Sequence, residues 1–276
     1  MLQFVVLAGL AAALAAAQGP TQLSCAEMEE FLRQGKIGAQ RDLPKGITLP
    51  KRATLNHGGR SHDAVIQPVN VSKASFQTQR GTELNFRDYW GFNIAGYELA
   101  KLLGLNMVPV YVERKVGGQP ASMTWWVNGM LELERVQKKI QPPDVDAWNK
   151  QMYVGRVFNQ LIANMDANLT NFLVTPDWQL WLIDFTRAFR MTKDLPSPKD
   201  LVQCDRKLLT NLRALDRKQV EEKLVKPKYI TKMELDGLMA RRDKIVAFFD
   251  QEIAAKGEGA VLFDLARSGQ PCGVGL

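Results

Sequence analysis

Histidine and cysteine are scarce in this chain, with two of the former and three of the latter in 276 residues. The cysteines, Cys25, Cys204 and Cys272, are odd in number and never spaced C-x-x-C, which argues against a structural zinc site or a disulfide framework. A single Cys204–Cys272 bridge and three unpaired thiols both stay open at this stage. His57 and His62 flank Gly58-Gly59 and read as polar residues beside a turn, not as metal ligands. No second cluster of Asp, Glu or His accompanies the acidic residues discussed below, so hydrolysis at a two-metal centre is disfavoured. Dense Lys/Arg blocks interleaved with aromatics are missing too, and the net charge of +7 is spread along the chain, so no nucleic-acid partner is expected. After the first seventeen residues there is no apolar run long enough to cross a membrane.

What is present begins with an export signal. Met1 to Ala17 is an uncharged run of Leu, Val and Ala ending in Ala15-Ala16-Ala17 before Gln18, as a small-residue cleavage site requires. The expected location is periplasmic or secreted. No Lys or Arg stands near Met1, so an uncleaved anchor is the alternative, and membrane association is expected only in that case. Asn70-Val-Ser72 and Asn168-Leu-Thr170 are formal glycosylation sequons.

The pattern of the mature chain is strand-rich first and helical later. Ser24 with Glu27 predicts a capping box and a helix to about Gln34. Arg52–Leu55 and Ala64–Gln67 read as hairpin strands turning at Gly58-Gly59. Asn85 is expected to cap a long amphipathic helix through Leu103, ended by Gly104. Val108–Glu113 and Ser122–Val127 follow as strands joined through Gly117-Gly118. Beyond Gln141-Pro-Pro143, Asp144 or Asp146 opens a helix carrying Trp148, Met152 and Phe158. Later helices are expected over Leu201–Leu215, Arg217–Leu224 and, from a Thr231/Glu234 capping box, to Lys256.

Chemistry concentrates in Asn164–Asn171 and the hairpin after it. Asp166 and Asn171 lie five positions apart in a loop; Phe172–Thr175 and Gln179–Ile183 are strands around Pro176-Asp177; Asp184 closes the second strand. This order brings three oxygen-bearing side chains together, the layout of a phosphoryl-transfer site. Asp166 would accept a proton from an attacking hydroxyl, while Asn171 and Asp184 hold the Mg²⁺ that bridges nucleotide phosphates.

A small sheet-plus-helix lobe, a linker and a mainly helical lobe opening on D-x-x-x-x-N is the arrangement of the protein-kinase-like fold. The chain resembles the atypical kinase-like families, which include phosphoinositide kinases, HipA-type kinases and secretory-pathway kinases, and within them an exported bacterial branch. The residues carrying the resemblance are Phe92–Leu105 with Val108-Pro109, Met123–Val127, Asp166–Asn171, Leu182-Ile-Asp184 and Arg187-Ala-Phe189. It implies an α+β, two-lobed fold, with an antiparallel-sheet lobe over residues 24–128, a helical lobe over 129–265 and a loose tail over 266–276. It also implies Asp166 as catalytic base, Asn171 and Asp184 as metal ligands, and Gln67, Trp126, Val127 and Ile183 as nucleotide-binding residues, with ATP and Mg²⁺ as the ligands and a hydroxyl-bearing acceptor.

Two positions depart from that pattern. Gln67 stands where the phosphate-holding Lys is usual, and Asn93 where its acidic partner is usual. Losing both together leaves no unpaired charge, and the two amides can hydrogen-bond to each other. Two readings follow: an exported ATP-dependent phosphotransferase, favoured by the Asp166/Asn171/Asp184 set, or a pseudokinase that binds a nucleotide or a protein without turnover, favoured by Gln67 and Asn93.

Overall fold

The computed structural model describes residues 23–43, 50–78 and 81–266. The expected signal segment and tail lie almost wholly outside them.

The Ser24/Glu27 capping box is formed and starts α1 (Cys25–Gln34), which buries Met28, Phe31 and Leu32. It packs on a five-stranded antiparallel sheet of β1 (Lys36–Asp42), β2 (Lys51–His57), β3 (Arg60–Gln67), β6 (Tyr111–Val116) and β7 (Gln119–Trp125), in the spatial order β1-β2-β3-β7-β6. The β2–β3 hairpin turns through Gly58 and Gly59, both at positive φ as a tight hairpin demands. α2 (Gly91–Leu102) packs on the same sheet, tied to α1 by Glu29, which accepts from Tyr97 (2.9 Å) and Lys101 (3.0 Å).

The helix expected from Asn85 starts six residues later. Gly81–Tyr89 is instead a strand, β5, paired antiparallel with β4 (Asn70–Thr78) in a ribbon separate from the main sheet. Asn85 sits inside β5 at φ +52°, a left-handed conformation that Asn tolerates. Trp90, the residue before α2, makes no side-chain cap. The entry to the helix is fixed by tertiary backbone bonds, Trp90 N–H to Val69 O (2.8 Å) and Tyr89 N–H to Thr186 O (2.9 Å), which no capping pattern encodes.

The second half is built on helices. A short three-stranded sheet of β8 (Met130–Leu131), β9 (Phe172–Val174) and β10 (Leu180–Leu182) adjoins α3 (Glu132–Gln137). Asp144 caps α4 (Val145–Leu161), which leads into the Asp166 loop. β11 (Cys204–Asp205) and β12 (Leu262–Phe263) pair in parallel. Consequently α5 spans only Arg206–Ala214, capped by Asp205, and not the whole of Leu201–Leu215. α6 (Arg217–Val220) runs on into a π-turn over Glu221–Val225. α7 (Lys232–Lys256), opened by the Thr231/Glu234 capping box and stopped by Gly257, is followed by α8 (Glu258–Val261). Among the described residues no helix is long and apolar enough to cross a membrane.

Cys204 is buried and free, so the Cys204–Cys272 bridge does not form. Cys25 is the disulfide-bonded cysteine, with its partner outside the described residues.

Candidate active site

The β9–β10 hairpin brings Asn171 and Asp184 together. Leu182 pairs with Phe172, and one step further out Ile183 N–H donates to Asn171 O (3.0 Å), so the two residues flank the hairpin's open end. Asn171 Nδ2 donates to Asp166 O (2.7 Å). That bond fixes the amide and leaves Oδ1 as its acceptor, met by Thr170 Oγ1 at 3.4 Å. Asp166 is the half-buried member, its carboxylate accepting from Asn168 Nδ2 (3.1 Å) with Arg187 Nη1 3.9 Å away.

Asp184 has φ +59°, unusual for a residue with a side chain, and this turn out of the strand carries its carboxyl into the site. Its N–H donates to Tyr111 Oη (3.3 Å). Three donors converge on Oδ1: Thr186 Oγ1 (3.0 Å), Thr186 N–H (3.4 Å) and Gln67 Nε2 (3.4 Å). Among the described residues Oδ2 receives none. Burial raises the Asp184 carboxyl above the usual value, the Thr186 donors oppose that shift, and the nearby Asp88 adds to it.

Gln67 and Asn93 form the neutral pair expected of them. Asn93 Nδ2 donates to Gln67 Oε1 (2.8 Å) and to Ser122 Oγ (3.1 Å), while Asn93 Oδ1 accepts from Phe185 N–H (2.7 Å). Asn93 is fully buried, so this chain from β3 through α2 to the residue after Asp184 is a shielded polar link between the two halves of the molecule. The Phe185 ring lies against α2 at Gly96, where a Cβ would come within 2.6 Å of it.

Of the residues expected around the nucleobase, Val127 and Ile183 join one small apolar cluster with Leu131, Leu173 and Trp181. Trp126 is used differently. Its N–H donates to Asp63 O (3.0 Å), its carbonyl bonds His62 Nε2 (3.0 Å), and the Arg52 guanidinium covers its ring at 3.8 Å. His62 is thus a half-buried strand residue fastening this segment, and burial lowers its pKa.

Asp88, at the end of β5, is the site residue that sequence patterning missed. It lies near Thr186, whose hydroxyl donates to Asp184, and one of its oxygens is buried without a partner. Burial raises its carboxyl; Thr186, Arg187 and Arg190 pull it back down, and Asp166 pushes it up. Only recognition of the β4–β5 ribbon, whose alternation is weak on its exposed face, would have placed Asp88 here.

The oxygen set fits a hard divalent cation, which takes carboxylate and amide oxygens. Asn171 offers an orientated Oδ1 and Asp184 an uncommitted Oδ2, on adjoining positions of one hairpin.

No protein-family model matches the chain, and no curated protein sequence is similar to it. Solved structures do match. A Golgi casein kinase superposes with a TM-score of 0.57 at 12% identity, over 86% of this chain and 77% of that one. A Helicobacter pylori proinflammatory kinase, CtkA, gives a TM-score of 0.48 at 9% identity, over 78% of this chain and 93% of its own. The likeness to the Golgi casein kinase is one of fold, and the fold this chain adopts is the two-lobed protein-kinase-like one.

Proposed function

We propose that this chain is an exported, ATP- and Mg²⁺-dependent phosphotransferase acting on a hydroxyl group of a protein Ser/Thr or a small molecule. The observation behind the reading is that Asn171 and Asp184 flank one hairpin end, Asp184 with Oδ2 uncommitted among the described residues and Asn171 Oδ1 engaged only by a long contact from Thr170 Oγ1 (3.4 Å), while Asn171 fastens the loop that carries Asp166. Mg²⁺ held by Asn171 and Asp184 would supply charge neutralisation at the nucleotide phosphates. Val127 and Ile183 would flank the nucleobase, with the Trp126 backbone serving the sheet. Asp166 takes the proton of the acceptor hydroxyl while that oxygen bonds to the γ-phosphorus; the bond from γ-phosphorus to the bridging oxygen breaks and ADP leaves. A groove of about 550 Å³ lined by Glu83, Leu84, Arg87, Met165 and Met233 reaches the residue before Asp166 and would suit an acceptor. Export belongs to the proposal because a disulfide at Cys25 fits an oxidising compartment.

The second reading, a nucleotide-binding pseudokinase, is favoured by one specific feature, the uncharged Gln67–Asn93 pair at the phosphate end. Incubation of stoichiometric protein with Mg²⁺ and γ-labelled ATP separates the two. A phosphotransferase consumes the label, and Asp166→Ala slows consumption about 10²–10⁴-fold with nucleotide affinity retained. Nucleotide binding with no consumption by the wild type would establish the pseudokinase.

A further inference from the structure

Gln67 brings no charge to the phosphate end of the cleft, yet a phosphoryl group in transfer spreads negative charge over its equatorial oxygens and is stabilised by fixed cations. Arg52 lies at the other end of the cleft, stacked on Trp126 and paired with Asp63 at 2.5 Å. Lys73 sits over Phe76 on the exposed ribbon. Arg190 is buried, paired with Glu83 and donating from Nη1 to Arg87 O (2.8 Å).

Arg190 Nε lacks an acceptor among the described residues, but Arg187 differs from all three in standing 3.9 Å from Asp166. It follows Asp184 by three residues, and together with Arg190 it draws the Asp88 carboxyl down, so its charge faces the acidic residues of the site. Its Nη2 donates to Glu83 Oε2 (2.9 Å). Nη1 stands 3.9 Å from Asp166 Oδ1, beyond hydrogen-bonding range, and Nε is buried with no acceptor at all. Nε is thus a buried donor with no acceptor among the described residues, which is costly unless a ligand supplies one, and Nη1 has no acceptor within hydrogen-bonding range, so both are free to meet oxygens of a ligand. The side chain is also pre-set: Glu83 grips it from β5 and the Phe86 ring lies 5.2 Å below it. A planar, pre-orientated fork suits phosphate oxygens.

We propose that Arg187 holds the γ-phosphate of bound ATP, delivering from the segment after Asp184 the positive charge that Gln67 does not provide from β3. This rests on the phosphotransferase reading of the same site. A charge that holds the γ-phosphate has no partner in ADP, so the assignment predicts discrimination between ATP and ADP.

Calorimetric titration of ATP and ADP, each with Mg²⁺, into wild type, Arg187→Lys and Arg187→Gln tests it. Wild type is expected to prefer ATP; Arg187→Gln loses about tenfold to a hundredfold in ATP affinity with ADP affinity unchanged, and Arg187→Lys, which keeps the pairing with Glu83, retains part of the preference. Adding Gln67→Lys to Arg187→Gln restores ATP binding. Equal weakening of ATP and ADP in Arg187→Gln, with a lower ligand-free melting temperature and no rescue by Gln67→Lys, would mean that Arg187 is structural, and an unaltered ATP preference would equally overturn the assignment. If wild type binds neither nucleotide, the phosphotransferase reading itself has failed and the role of Arg187 falls with it.

Discussion

Asp184 concentrates the cost of this site in one residue. Its left-handed backbone and its largely buried carboxyl are both unfavourable in isolation, and Asp88 adds like charge nearby. Both carboxyls are raised above their ordinary value of 3.8. Each therefore contributes stability that is fully present below that ordinary value and is lost as the pH rises through the raised native one, so at neutral pH the cation-free protein carries them as a liability. Asp184→Asn removes that charge yet keeps Oδ1 as acceptor for Gln67 and Thr186. Thermal melts in chelator are expected to show a higher melting temperature for Asp184→Asn at neutral pH, with the gain shrinking as the pH is lowered. A lower melting temperature throughout would show that the carboxylate is needed by the fold. The pairing of Gln67 with Asn93 was legible in sequence because two charges missing from expected positions imply a neutral bond between their replacements. Asp88 was not legible, since its place depends on its strand pairing with Val71, seventeen residues away in the chain.

At the scale of elements, local signals succeeded wherever a side chain itself makes the boundary. Ser24, Asp144 and Thr231 all cap helices as their patterns predict. Asn85 failed because β5 is polar and α2 begins without a cap, held by backbone bonds to Val69 and Thr186. α2 also shows why a helix-disfavouring residue is kept at position 96. Alanine there gains about 1 kcal/mol of helix propensity, but its Cβ meets Phe185, whose ring is already confined by Phe158 and Tyr111. Gly96→Ala is therefore expected to destabilise by about 1–3 kcal/mol, as overpacking does, and to weaken Mg²⁺-dependent nucleotide binding by shifting Asp184; denaturant unfolding and calorimetry read the two effects. α7 acts at a distance in a similar way. Fully buried Arg241, its pKa lowered to about 10 by burial but still charged at neutral pH, donates to Leu161 O (2.8 Å), Arg190 O (2.9 Å) and Thr192 O. It thereby joins the end of α4 to the segment after Asp184. Arg241→Met strands those carbonyls at about 1–3 kcal/mol each, so a large fall in the denaturation midpoint is expected; a change within error would contradict that role.

At the scale of the whole molecule, the fold class could be read from the shift of periodicity around residue 140, because sheet and helix segregate along the chain. The docking of the ribbon could not. It is held by Arg187 and Arg190 on Glu83 and by Tyr89 N–H on Thr186 O, contacts between distant segments that leave no periodic trace. The two halves meet along the bonds from Gln67 and Asn93 to Asp184 and Phe185, so a ligand held at Asp184 stabilises the whole native state by mass action. The measurement that bears most directly on the account is the melting temperature of wild type and Asp184→Asn across a matrix of ATP and Mg²⁺ concentrations. Wild type should rise with ATP only when Mg²⁺ is present, while Asp184→Asn stays flat; identical curves for the two proteins at every concentration would contradict a metal–nucleotide site in this cleft.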